Sequence, residues 1–206
     1  TRAIVEQQLA ERRNATSEQS AQFSLSQYDD IFKEIGEAYD LDWRLLAAIA
    51  RIESVFRFDA ISPAGAIGLM QIMPLVAHNM GYQRKDLFDA RTNVEVAAKL
   101  LNENKKMLHL PQDISEEEQL QFILACYNAG YSRIADARRL AKYYDVDTES
   151  WAMTRLFLNW LNDPKFAENE VVQSGAFYGS SETLEYVDKV MHLYNLYKVQ
   201  NETFTY

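Results

Sequence analysis

Chain breakers are scarce in this sequence and unevenly spread. Seven glycines and four prolines serve 206 residues, so helix-forming stretches run long and uninterrupted. The segment from Ser62 to Ile72 is the exception, with Pro63, Gly65 and Gly68 set among short apolar residues. This distribution predicts a mainly α-helical protein broken by one set of turns and a small irregular β-hairpin region near 61–72. At 48% hydrophobic residues the chain can fill one substantial core.

Helical spacing then places the elements. Tyr28, Ile31, Phe32, Ile35 and Tyr39 share one face. Asp42 is expected to cap a second helix, with Leu45, Leu46, Ile49 and Ile52 inward and Glu53 near its end. Pro74 suits the first turn of a helix that Gly81 ends. Asn93 is expected to cap the helix bearing Val94, Ala97, Leu100 and Leu101, and Ser132 the one bearing Ile134 and Leu140. Between them, Ser115 and Glu118 form a capping box ahead of Leu120, Ile123 and Leu124. Trp151 to Leu161 reads as a helix stopped before Pro164, and Lys165 to Gly179 as a long loop. A last helix is expected from about Glu182 to Gln200, with Leu184, Val187, Val190, Met191, Tyr194 and Tyr197 inward. Residues 1–25 are polar and read as a linker or loosely attached segment ahead of a domain at 26–206.

The charge of −9 and pI of about 4.9 make nucleic acid a poor partner, since phosphate binding needs a basic face. Cys126 is the only cysteine and lies in an apolar run, as a small core residue would. No apolar run reaches the ~18 residues of a membrane span, and no signal-peptide pattern opens the chain. It begins at Thr1 without a methionine and so reads as a portion of a longer protein. His78, His109 and His192 lack metal-ligand spacing, and no phosphate loop appears, so neither metal nor cofactor is expected. Trp43, Trp151 and Trp160 suit helix packing better than sugar stacking.

Three short strings carry the chemistry: Glu53-Ser54, Gly68-Leu69-Met70-Gln71-Ile72-Met73-Pro74, and Tyr127-Asn128-Ala129-Gly130. Glu53 is flanked by Ile49, Ile52, Val55 and Phe56 where a helix gives way to loop. Burial there would keep a carboxyl protonated near neutral pH, as acid catalysis on a glycosidic oxygen requires. Ordinary glycosidases set two carboxylates about 5–5.5 Å or about 6.5–9.5 Å apart. Asp59, Asp86 and Asp89 stand in no recognisable motif, so no second acid is evident. A missing partner favours assistance by the substrate's own 2-acetamido oxygen.

In order and spacing these strings resemble the lytic transglycosylases of the lysozyme-like superfamily, over about residues 28–197. The long stretch from Tyr131 to Gly179 resembles in particular the catalytic module of the membrane-bound lytic transglycosylase F type. The resemblance implies a lysozyme-like helical fold of the goose-lysozyme type and non-hydrolytic cleavage of the N-acetylmuramic acid–N-acetylglucosamine bond in peptidoglycan. Glu53 would protonate that bond and then, as a carboxylate, take the proton of the C6 hydroxyl that attacks C1, leaving a 1,6-anhydro end. By resemblance, Ser62, Gln71, Met73, Tyr127, Asn128, Glu182 and Tyr186 contact the substrate; Asn128 could equally be a structural cap, Glu182 could instead orient Tyr127, and Met70 belongs to the core. Arg57-Phe58 departs from a common Asn-Pro, which suggests a different loop path after Glu53. The resemblance further implies a periplasmic location, membrane association only through segments outside this chain, and a solute-binding-like domain ahead of it. A goose-type hydrolase and a glycan-binding module without chemistry remain as alternatives.

Overall fold

Local sequence signals explain most of the helix ends in the computed structural model, which describes residues 24–203. The linker expected at 1–25 lies, for residues 1–23, outside the described residues. Helix α1, Asp29–Tyr39, is anchored where the Asp29 carboxylate accepts from the Leu25 and Ser26 backbone N–H groups. Helix α2, Trp43–Ser54, begins where Asp42 accepts from the Arg44 backbone N–H, as its cap position predicts. Pro74 occupies the first turn of α3, Pro74–Asn79, and a 3-10 turn follows at Arg84–Phe88.

Helix α4, Ala90–Leu108, starts earlier than expected. Its cap is Asp89, whose carboxylate accepts from Thr92 N–H, and Asn93 is instead a buried residue of the first turn. Helix α5, Glu116–Ala129, is capped by Ser115 as expected. Helix α6, Tyr131–Tyr143, follows directly from Gly130, so Ser132 lies inside the helix rather than capping it. Gly130 turns the chain at φ 85°, a conformation that side chains with a Cβ rarely adopt, and this lets α6 begin at once.

Helix α7, Trp151–Trp160, precedes a one-turn α8, Pro164–Ala167, inside the segment expected to be loop. The rest of that segment is irregular but held. Asp136 on α6 accepts from Gln173 and Ser174 N–H, while Arg133 donates to the carbonyls of Ser174, Gly175 and Ala176. Helix α9, Ser180–Thr203, then returns through the molecule. It packs on α2 and α5, with α1 and α4 layered beside them and α6 and α7 closing the other flank. Phe32, Leu46, Ile49, Phe122, Leu124, Val187 and Val190 fill the shared core.

The hairpin region is as small as expected. It consists of two antiparallel bridges, Ile61 with Ile67 and Ile67 with Ile72. Trp151 is buried edge-on against Phe122, whereas Trp160 is 37% exposed and stacks on Phe166. No helix among the described residues is long and apolar enough to cross a membrane.

Candidate active site

Glu53 sits in the last turn of α2, one residue before the helix stops. The stop is abrupt because Val55 and Phe56 both take left-handed backbone, at φ 54° and 62°. Such conformations cost roughly 1–3 kcal/mol each in residues with a Cβ and persist only when neighbours enforce them. Ser54 supplies part of that enforcement. Its hydroxyl is buried, donates to the Leu69 carbonyl at 2.9 Å and accepts from Arg57 N–H at 3.1 Å. The acid-bearing turn is thereby tied to the glycine loop.

Asn93 grips the same loop from α4. Its Oδ1 accepts from Met70 N–H at 2.8 Å, and its Nδ2 donates to the carbonyls of Ile67 and Leu87. Ser54 and Asn93 therefore hold the two ends of one peptide group, the Leu69–Met70 unit. Gly68 is required for this approach: at φ 83° a Cβ there would run into the Asn93 side chain and the Leu87 carbonyl. The following carbonyl, that of Met70, accepts the Tyr127 hydroxyl at 2.7 Å. Three helices thus converge on Leu69 and Met70.

Burial pushes the Glu53 carboxyl up from its ordinary 4.5 to about 7, against a smaller opposing effect of the Tyr186 phenol. The Tyr186 hydroxyl is buried on α9 without a partner that meets hydrogen-bond geometry, yet it lies near enough to Glu53 to oppose the effect of burial on that carboxyl. Burial and the neighbouring Glu53 charge both hold the Tyr127 and Tyr186 phenols well above their ordinary values. Asp86 and Asp89 are engaged as caps, accepting from Gln83 and Thr92 backbone N–H groups. Asp59 is exposed.

The other expected residues divide by location. Ser62 accepts from Ala66 N–H within the hairpin turn and is half-buried. Gln71 holds its own loop, donating through Nε2 to Gly68 and Ala60 carbonyls, at the cost of a backbone φ of 49°. Met73 is 41% exposed two residues further on, while Met70 is fully buried as core. Asn128 is exposed at the end of α5 and accepts from the Thr183 hydroxyl. Glu182 is exposed in the first turn of α9, and the Tyr127 proton goes to Met70 rather than to it. Sequence reasoning gave Ser54 no role of its own and missed Asn93 and Thr183 as structural members of the site. Each is a polar residue, fully or almost fully buried, with no charge or ring to single it out in the sequence.

A family model for the transglycosylase SLT domain matches residues 30–149, more than half of the chain and all three strings. The chain belongs to the transglycosylase SLT domain family. A membrane-bound lytic murein transglycosylase F of Marinobacter nauticus is 33% identical over 176 residues, covering 84% of this chain and 33% of the relative. Its counterpart in Yersinia pseudotuberculosis is 36% identical over 142 residues, covering 69% of this chain and 28% of the relative. The chain therefore spans about a third of the length of these curated relatives.

Solved structures agree on the fold. The 70 kDa soluble lytic transglycosylase of Escherichia coli superposes with a TM-score of 0.60 at 23% identity, over 87% of this chain and 26% of that one. An inactive Glu-to-Gln variant of the lytic transglycosylase Slt from Pseudomonas aeruginosa gives 0.56 at 20% identity, over 82% of this chain and 24% of that one. Within this SLT domain, the lysozyme-like helical architecture sets Glu53 of α2 near the Tyr127 phenol of α5 and the Tyr186 phenol of α9.

Proposed function

We propose that this SLT domain is a peptidoglycan lytic transglycosylase in which Glu53 serves first as acid and then as base. The observation that carries the reading is the half-buried Glu53 carboxyl, protonated up to about pH 7 and attended by two phenols. In the protonated state it donates to the oxygen bridging N-acetylmuramic acid and N-acetylglucosamine as that bond breaks. The substrate's 2-acetamido oxygen stabilises the cationic anomeric carbon. Glu53, now a carboxylate, accepts the proton of the C6 hydroxyl, which attacks C1 of the same sugar. An internal nucleophile has a high effective concentration, which favours it over water. The product is a 1,6-anhydro end.

The cap roles of Asp86 and Asp89 support a scheme without a second carboxylate, and leave Asp59 as the candidate base of a hydrolytic alternative. Ser62, Gln71, Met73, Tyr127, Asn128, Glu182 and Tyr186 are proposed to contact the glycan. Relatives are named membrane-bound lytic murein transglycosylases, which supports a further proposal of a periplasmic enzyme acting on murein and attached through segments other than this chain. Mass spectrometry of digested murein tests the reaction. Anhydro ends that vanish in Glu53→Gln are expected; products heavier by one water would replace this scheme with hydrolysis, and no release would refute both.

A further inference from the structure

Two side-chain amides adjoin the Tyr127 contact, and each is locked from behind with opposite polarity. Gln71 follows Met70, whose carbonyl takes the Tyr127 proton. Its Nε2 is committed to the Gly68 carbonyl at 2.9 Å and the Ala60 carbonyl at 3.3 Å. That leaves Oε1, an acceptor, without a protein donor among the described residues. Asn128 follows Tyr127 and is the mirror case. Its Oδ1 accepts from Thr183 Oγ at 2.7 Å, leaving the two donors of Nδ2 without a protein acceptor among the described residues.

The lock on Asn128 has a physical cause. Thr183 is 1% exposed, on α9 one turn before Tyr186. Its hydroxyl proton has no other acceptor among the described residues. Turning the Asn128 amide around would set an N–H₂ against a buried O–H and leave that proton unpaired, an expensive arrangement. Asn128 itself is exposed, so its outward half is available to a ligand.

We propose that Thr183 is a positioning residue that sets the polarity of Asn128, so that the site meets its substrate with a preset donor at Asn128 and a preset acceptor at Gln71. This rests on the glycan-cleaving reading above. A group that accepts and cannot donate, a carbonyl or carboxylate oxygen, gains most from a fixed N–H₂. A sugar hydroxyl rotates to suit either polarity and gains little. Murein glycan carries both kinds of oxygen, on its acetamido and lactyl substituents. Presenting the amide already oriented spares the ordering cost on binding.

The test compares Thr183→Val, which keeps the shape and removes the hydroxyl, with Thr183→Ser, which restores it. Both are measured for KM and kcat on murein glycan, and in the Glu53→Gln background for Kd with murein fragments and with chitotetraose. Thr183→Val is expected to raise KM and Kd about five- to tenfold, the size of one lost oriented hydrogen bond. The kcat should change less than about twofold, and Thr183→Ser should recover most of the loss. Weakening on both ligands assigns the acetamido carbonyl; weakening on murein fragments alone assigns the lactyl carboxylate. Unchanged KM and Kd in a folded Thr183→Val protein overturns the proposal. Asn128→Asp keeps an acceptor for Thr183 and removes the donor, so it must weaken binding at least as much; if it does not, the proposal falls. Failure of the unsubstituted chain to cleave murein would instead refute the functional reading.

Discussion

Helix α2 carries a carboxylate at each end, and the two behave oppositely although each faces a tyrosine of α9. Asp42, at the N-terminus, is pushed up by burial. That effect is outweighed by hydrogen bonds from the Arg44 side chain and backbone, the Arg44 charge and the Tyr194 hydroxyl, and its pKa ends below the ordinary value. Glu53, about 16 Å away by helical rise, meets burial with only the Tyr186 phenol against it and rises to about 7. The helix dipole runs the same way, favouring negative charge at the first turn and disfavouring it at the last. One helix thus carries an ionised cap at one end and a carboxyl held protonated toward neutral pH at the other, and the number of donors supplied decides which is which. A cavity of about 260 Å³ lies at the Asp42 end, lined in part by Asp40, Leu45, Leu101 and Tyr194, yet the carboxyl suited to proton transfer is at the other.

Removing each acid in turn breaks the comparison most directly. Glu53→Gln should reduce release of anhydro-muropeptides by about 10²- to 10⁴-fold, the usual contribution of a positioned acid–base group; retention of most activity on mass-spectrometric assay would exclude the role. The same substitution should stabilise the fold at pH 8 by up to about 3 kcal/mol, from the gap between 4.5 and about 7. The sign follows from the raised pKa: stability is full below about pH 4.5 and is lost as pH rises through about 7. Urea titrations of both proteins at pH 4 and pH 8 check it, and a benefit present equally at pH 4 would contradict the mechanism.

Asp42→Ala should act in reverse, destabilising by about 1–2 kcal/mol at neutral pH through loss of the cap. Because the folded Asp42 pKa is depressed, its contribution is present above the unfolded pKa and is lost as pH falls through the folded one. A thermal denaturation series in pH should show the penalty shrinking in acid. The two tyrosines sharpen the contrast further. Tyr194→Phe should cost about 0.5–1.5 kcal/mol with turnover intact. Tyr186→Phe should move the alkaline limb of the pH–rate profile upward, since it removes the phenol that opposes the effect of burial at Glu53; a downward shift would disprove that role.

What was legible in the sequence was local. The Asp42 and Ser115 caps, Pro74 at a first turn, and Glu53 at a helix end follow from residues within a few positions of one another. Asn93 shows where such reasoning stops. An asparagine ahead of an apolar stripe reads as a cap, but its partners Ile67, Met70 and Leu87 are set by how α4 packs on the glycine loop. Thr183 likewise carries less signal than the charged Glu182 beside it, because only the docking of α9 on α5 reveals which of the two faces Asn128. The segment at 165–179 reads as a long loop for the same reason. Its order comes from Arg133 and Asp136, which are distant in sequence and carry no signal of that duty.

Cys126 immediately precedes Tyr127, is buried, and burial pushes its thiol up to about 12. The thiolate needed for alkylation is therefore nearly absent at working pH. A cysteine introduced at an exposed position beside the site, such as Met73, would consequently be the sole readily labelled one. Fluorophores or spin labels could then report on whether murein glycan binds at the site, without first stripping out the native sulfur.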